Sequence, residues 1–186
     1  MNMLQIPRMA FSFHGGWDEV EKQHPSIARL FLLIALPLSL LPPLMIHYAG
    51  LHHGEVFDPN VTPAQWTAAA RLFFLAELVT VPAMAAFIYG VARLNRVPAS
   101  FYACAAIAVL APAPLWFSSL GLFVPNLMFN LALTGVALLC SVGLIYRGIY
   151  ALLHMHEDVE ALQMATVVAA VGVLAWLLLM QIVLRH

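Results

Sequence analysis

From Ala105 to Leu153 the chain carries a single charged side chain, Arg147, in a run that is otherwise almost wholly apolar. The run reads as two apolar helices folded back on each other at Val124-Pro125-Asn126, with Pro112 and Pro114 bending the first. Two such helices side by side could not be covered in water by so little polar surface, so the surrounding solvent is lipid. Composition agrees. Of 186 residues, 63% are hydrophobic and 9% charged, against about 25% charged in a soluble domain.

The same apolar pattern recurs along the chain and predicts an all-α integral membrane bundle of five transmembrane helices. The spans fall at about 26–49, 68–94, 99–123, 127–153 and 161–184, forming one domain over 26–186. Each is long enough, at about 1.5 Å rise per residue, to cross a hydrocarbon core of about 30 Å. Pro37, Pro42 and Pro43 interrupt the first span, which predicts a kinked helix packed against neighbours that satisfy its freed carbonyls. Thr62-Pro63-Ala64-Gln65 resembles a capping box, so the second helix begins near Pro63 with its first turns at the interface. Trp66, Arg71 and Trp116 are expected towards the outer water boundary. Pro82 kinks this second helix, and Ala86 with Gly90 offers a close-contact face.

Residues 1–25 are expected to be a short amphipathic segment at the cytoplasmic interface. In WDEVEKQ, Trp17 and Val20 share one side, and Asp18 with Glu19 sit in the first turn, where the helix dipole favours them. Nothing near the start resembles a cleavable signal peptide. Cys104 and Cys140 lie within apolar runs and read as small buried hydrophobes, without a disulfide.

Orientation follows from the cations. With the amino terminus inside, the cytoplasmic side holds Arg8, Lys22, Arg29, Arg93, Arg96 and Arg147, and the outside only Arg71 and Arg185. That asymmetry fits the positive-inside rule and, with an odd number of spans, puts the carboxyl terminus outside. A formal net charge of -1 leaves no basic field for nucleic acid.

Two stripes mark helix faces that meet protein. Asn126, Asn130, Thr134, Ala137 and Ser141 recur at helical spacing in the fourth span, and Ala161, Ala165, Ala169, Gly172 and Ala175 in the fifth. Packing through small residues and interhelical hydrogen bonds accounts for both, and a polar pathway lined by Asn126, Asn130 and Thr134 is the functional alternative.

The segments FSFHGGWDEVEKQHPS and APAPLWFSSLGLFVP, the proline-rich first span, and a fourth span ending in LIYRGIYALL before a short acidic loop together look like a bacterial member of the Yip family (Ypt/Rab-interacting proteins and their prokaryotic relatives). The resemblance covers nearly the whole length and implies a five-span bundle with a cytoplasmic amino terminus and an external carboxyl terminus. Eukaryotic relatives are associated with Rab-type GTPases and vesicle membranes. The segment before the first span is short here, so the resemblance does not carry a GTPase partner with it.

Glu77, in FFLAELVTVP, is the sharpest single residue, because an ionised carboxylate at that depth costs about 3 kcal/mol or more. Two readings stand: a proton- or ion-linked site, and a structural carboxyl bonded to Thr80 or to a residue on another helix. His52, His53, Glu55 and Asp58, with His47 just before them, read as solvated loop residues, as does HMHEDVE at 154–160. Neither cluster has the spacing of a metal site. P-loop, GxSxG, HExxH and glycine-rich dinucleotide signatures are lacking, so no catalytic residue, cofactor or metal is expected. The expectation is a non-enzymatic organising or accessory subunit in membrane, lipid or protein trafficking. Its partners would be membrane lipids and either another membrane protein or a second copy. The alternative is a small transporter or channel component using Glu77 and the polar face of the fourth span.

Overall fold

The computed structural model describes Trp17 and residues 25–155 and 158–184. Among these residues all regular structure is helical. Five helices are long and apolar enough to cross a membrane: α1 (Ile27–Phe57), α2 (Pro63–Leu94), α3 (Phe101–Phe123), α4 (Leu127–Leu152) and α5 (Asp158–Leu184). The predicted interfacial segment at 1–25 lies outside the described residues, apart from Trp17 and Pro25.

The prolines shape α1. Ser26 caps it, its side chain accepting from the Arg29 N–H at 3.3 Å. The helix then widens into a π turn over Phe31–Ala35, with the Leu36 N–H reaching the Phe31 carbonyl. Pro37 lies just beyond, and its ring would crowd a regular turn at that point. A second break falls at Leu40, before Pro42 and Pro43, and the helix resumes over Leu41–Phe57. The polar segment after residue 49 is therefore not the loop its composition suggests: His52 and Gly54 continue the helix, with a local distortion at His53. Tertiary packing explains the difference. A Cβ at Gly50 would lie 2.3 Å from Trp66 Cβ, and one at Gly54 2.8 Å from Trp66 Nε1. Two glycines one turn apart thus make a flat bed on which the indole lies, and that contact holds the extra turns. Trp66 is buried by this contact.

The capping box at the start of α2 is complete: the Thr62 N–H donates to Gln65 Oε1 at 2.9 Å, and the Gln65 N–H donates to Thr62 Oγ1 at 3.4 Å. From there Ala69, Phe73, Glu77, Val81, Ala85, Ile88 and Ala92 form one buried stripe, a recurrence every three or four residues that keeps them on one face. Helix α2 packs against α1, α3 and α5. Ala86 is exposed, and a Cβ at Gly90 would meet nothing within 4 Å. No helix of the chain itself uses that face among the described residues.

Residues 103–111 of α3 are buried on every side. Pro112 and Pro114 interrupt the helix, and it tightens into a 3-10 turn over Ser119–Phe123. Helix α4 packs on α3, and α5 closes against α2 and α4. The inner alanines of the α5 stripe, Ala161, Ala165 and Ala169, are buried, whereas Gly172 and Ala175 are half-exposed. The bundle is thus tight at one end of α5 and looser towards the other. Trp17 packs at the tight end with 0% exposure, its indole edge against Gly148. It acts as a plug in the core.

Candidate functional site: an apolar cavity at Glu77

The looser half of the bundle holds a half-open cavity of ≈ 530 Å³ with residues from all five helices in its walls. It reaches from Asp58, in the turn after α1, to Ile88, Ile145 and Val168, deep in α2, α4 and α5. The spacing of the α2 stripe turns Glu77 inward, and it is 6% exposed. Its Oε1 accepts a hydrogen bond from the indole Nε1 of Trp116. Its other oxygen, Oε2, is buried and has no partner among the described residues.

Trp116 reaches Glu77 because α3 is broken. Pro112 occupies the cap position of the segment Ala113–Ser118, and the redirected turn buries Trp116 at 2% exposure. Trp116, expected towards the outer boundary, has its ring inside the bundle, where it is the carboxyl's partner. Thr80 is not that partner. Its hydroxyl donates to the Ala76 carbonyl of its own helix at 2.8 Å.

The polar face of α4 divides. Asn130, Thr134 and Ser141 line the cavity. Asn126 is exposed and caps α4, its Oδ1 accepting from the Phe129 N–H at 3.0 Å. Asn130 also has a structural task, its Nδ2 donating to the carbonyls of Val124 at 2.9 Å and Asn126 at 2.8 Å, which closes the α3–α4 turn. Ser118 and Ser119 spend their hydroxyls on Leu115 and Trp116 carbonyls. Ser141 Oγ is buried and has no partner among the described residues. Glu77 Oε2 and Ser141 Oγ are therefore the buried polar atoms of this lining left open to a guest, since the third unpartnered atom, Trp66 Nε1, lies over Gly54.

Trp116 and Trp176 were missed as site residues by reading the chain alone. Ser141 was legible, since it stands on the α4 stripe. The tryptophans carried the opposite signal, because Trp in a membrane helix points to the interface by default.

The histidines of α1 contact Thr67 of α2 and a tyrosine of their own helix. His47 Nδ1 lies 3.1 Å from Thr67 Oγ1, and His52 stacks on Tyr48 with ring centroids 4.3 Å apart. Among the described residues, no three His, Cys, Asp or Glu side chains converge as a metal site would require.

Five helices long and apolar enough to cross a membrane, grouped about a half-open apolar cavity with a carboxyl in its wall, define a multi-pass α-helical membrane protein. The model of the Yip1 domain matches residues 3–179, nearly the whole chain, and the protein belongs to that family. No curated protein and no solved structure matches it.

Proposed function

We propose that the protein is a non-enzymatic accessory component of membrane or lipid trafficking, and that it works by taking an apolar molecule from the bilayer into its bundle. The observation that carries this reading is the cavity itself. Its ≈ 530 Å³ falls within the range of about 300–1,000 Å³ typical of small-molecule sites, as do its mainly apolar walls with a few placed polar groups. The test is to isolate the protein in detergent-free lipid discs and weigh it intact by mass spectrometry. A bound apolar molecule is expected on the wild type and lost in Gly172→Leu. Gly172 lines the cavity, and a Cβ there meets only Met84 Cε at 3.8 Å, so the longer side chain fits by filling the space. Equal occupancy in both proteins overturns the reading.

Transport is the second reading. It is favoured by Glu77, Asn130, Thr134 and Ser141 sharing one cavity wall system. Under it Glu77→Gln abolishes flux in reconstituted vesicles, whereas an accessory role leaves only a change in stability.

The proposed setting is a bacterial inner membrane, with the amino terminus cytoplasmic and the carboxyl terminus periplasmic. The cation asymmetry of six against two supports it. Reporters fused to either tail decide it, and two tails in one compartment would end it. Lipids are the proposed partners, with another membrane protein or a second copy as a further one.

A further inference from the structure

Three features of the cavity restrict what it can hold. The first is charge. Two acids line it, Glu77 in the interior and Asp58 at the rim, and among the described residues no lysine, arginine or histidine does. A carboxylate or phosphate headgroup would meet like charge with no compensating cation, in a medium where such repulsion is poorly screened.

The second is aromatic content. Trp66, Trp116 and Trp176, three of the chain's four tryptophans, line this one cavity. Indole faces attract positive charge through the ring quadrupole, more strongly where water is excluded. The third is the pair of open atoms, Glu77 Oε2 and Ser141 Oγ, buried without partners on opposite helices. A buried acceptor in that state is satisfied by a donor that a guest brings.

We propose that the cavity is a binding site for a lipophilic amine, whose protonated nitrogen donates to Glu77 Oε2 while its apolar body lies along the walls of α3, α4 and α5. The inference rests on the cavity holding an apolar guest, as argued above, and adds the sign of its headgroup. One carboxylate balances one ammonium, so the loaded site carries no net charge at its centre, which is the arrangement an apolar surround favours. The Trp116 indole fixes the carboxyl by its other oxygen, so the acceptor is held in place before the guest arrives.

The test uses one alkyl chain with three heads. The full chain in neutral lipid discs is titrated with ω-bromododecylammonium, ω-bromododecanol and ω-bromododecanoate, and quenching of tryptophan fluorescence by the bromine reports contact, with empty discs correcting for partitioning. The amine is expected to bind about tenfold or more tightly than the alcohol, the scale of a charge-assisted hydrogen bond, and the carboxylate least. In Glu77→Gln, which keeps an acceptor for Trp116, the preference for the amine over the alcohol should be lost, the two then binding alike. Equal affinity of wild type for amine and alcohol overturns the headgroup assignment and leaves the apolar cavity standing. Binding of none of the three overturns both. The head-group series on the wild type needs no variant, so poor folding of Glu77→Gln would not rescue the assignment.

Discussion

Trp116 and Glu77 stand 39 residues apart and are joined by a hydrogen bond from the indole nitrogen to a carboxyl oxygen, which ties the broken part of α3 to the middle of α2. Phenylalanine at 116 keeps most of the ring and removes the donor, leaving a buried carboxyl without its protein partner. Trp116→Phe should therefore lower stability by about 1–3 kcal/mol, the desolvation cost of an orphaned polar group. Glu77→Leu combined with Trp116→Phe should recover much of that loss, because neither half is then left unpaired. Thermal unfolding of the single and double variants in one detergent measures both effects. Equal midpoints for wild type and Trp116→Phe would show that the bond contributes nothing.

Among the described glycines, Gly50 makes the closest approach to a neighbouring side chain, that of Trp66. A methyl at 50 would fall 2.3 Å from the Trp66 Cβ, on a stiff part of the side chain that cannot swing aside without shifting α2. Gly50→Ala is expected to lower stability by about 1–3 kcal/mol, the usual cost of overpacking. Gly135 and Gly143 are the controls. A Cβ at either meets nothing within 4 Å, so alanine there should be neutral or stabilise by about 0.5–1 kcal/mol through helix propensity. A comparison of unfolding midpoints for the three variants is sufficient, and a stable Gly50→Ala would mean that the indole does not lie where the glycines place it.

That glycine bed also shows where reading the chain stops. The five spans were legible because a run of about 20 apolar residues has one physical solution in lipid. The capping box at Thr62 and Gln65 was legible because it is local. The turns of α1 beyond residue 49 were not, since His52, His53 and Glu55 look like loop composition and are held helical by Trp66, which comes from the next helix. The inward course of α4 was visible in its stripe, but Asn126 belongs to the same period and ends up as an exposed cap, because periodicity does not say where a helix starts. Glu77 could be singled out by its cost alone. Its partner could not, because a tryptophan on a proline-broken helix turns in a direction that no local rule supplies.

Trp17, ahead of the first span, has its side chain 0% exposed. A Cβ at Gly148 would lie 2.9 Å from its Cη2 and 3.0 Å from Ile107 Cγ1, so the indole fills a slot that α4 leaves by having no side chain there. Trp17→Ala should lower stability by about 3–5 kcal/mol, as for other fully buried aromatic truncations. Gly148→Ala should push the indole from its slot. In a protein keeping Trp17 alone, with phenylalanine at the other three tryptophan positions, the emission should then move to the red. Unchanged emission would place Trp17 outside the core.

Two turns at the same end of the bundle close without glycine. Arg96 has φ 59° and His154 φ 48°, the left-handed conformation that ends a helix when the next N–H bonds back over a full turn. Both such bonds are present: Val97 N–H to the Ala92 carbonyl at 2.9 Å, and Met155 N–H to the Tyr150 carbonyl at 3.3 Å. A residue with a Cβ is strained there by roughly 1–2 kcal/mol, and glycine is not. Arg96→Gly should therefore raise the unfolding midpoint, while Arg96→Ala, which removes the same charge and keeps the Cβ, should not. The pair separates backbone strain from electrostatics, since both variants delete one of the six cations on which the proposed orientation depends. Equal midpoints for the two would assign any change to the lost guanidinium and remove strain as its cause.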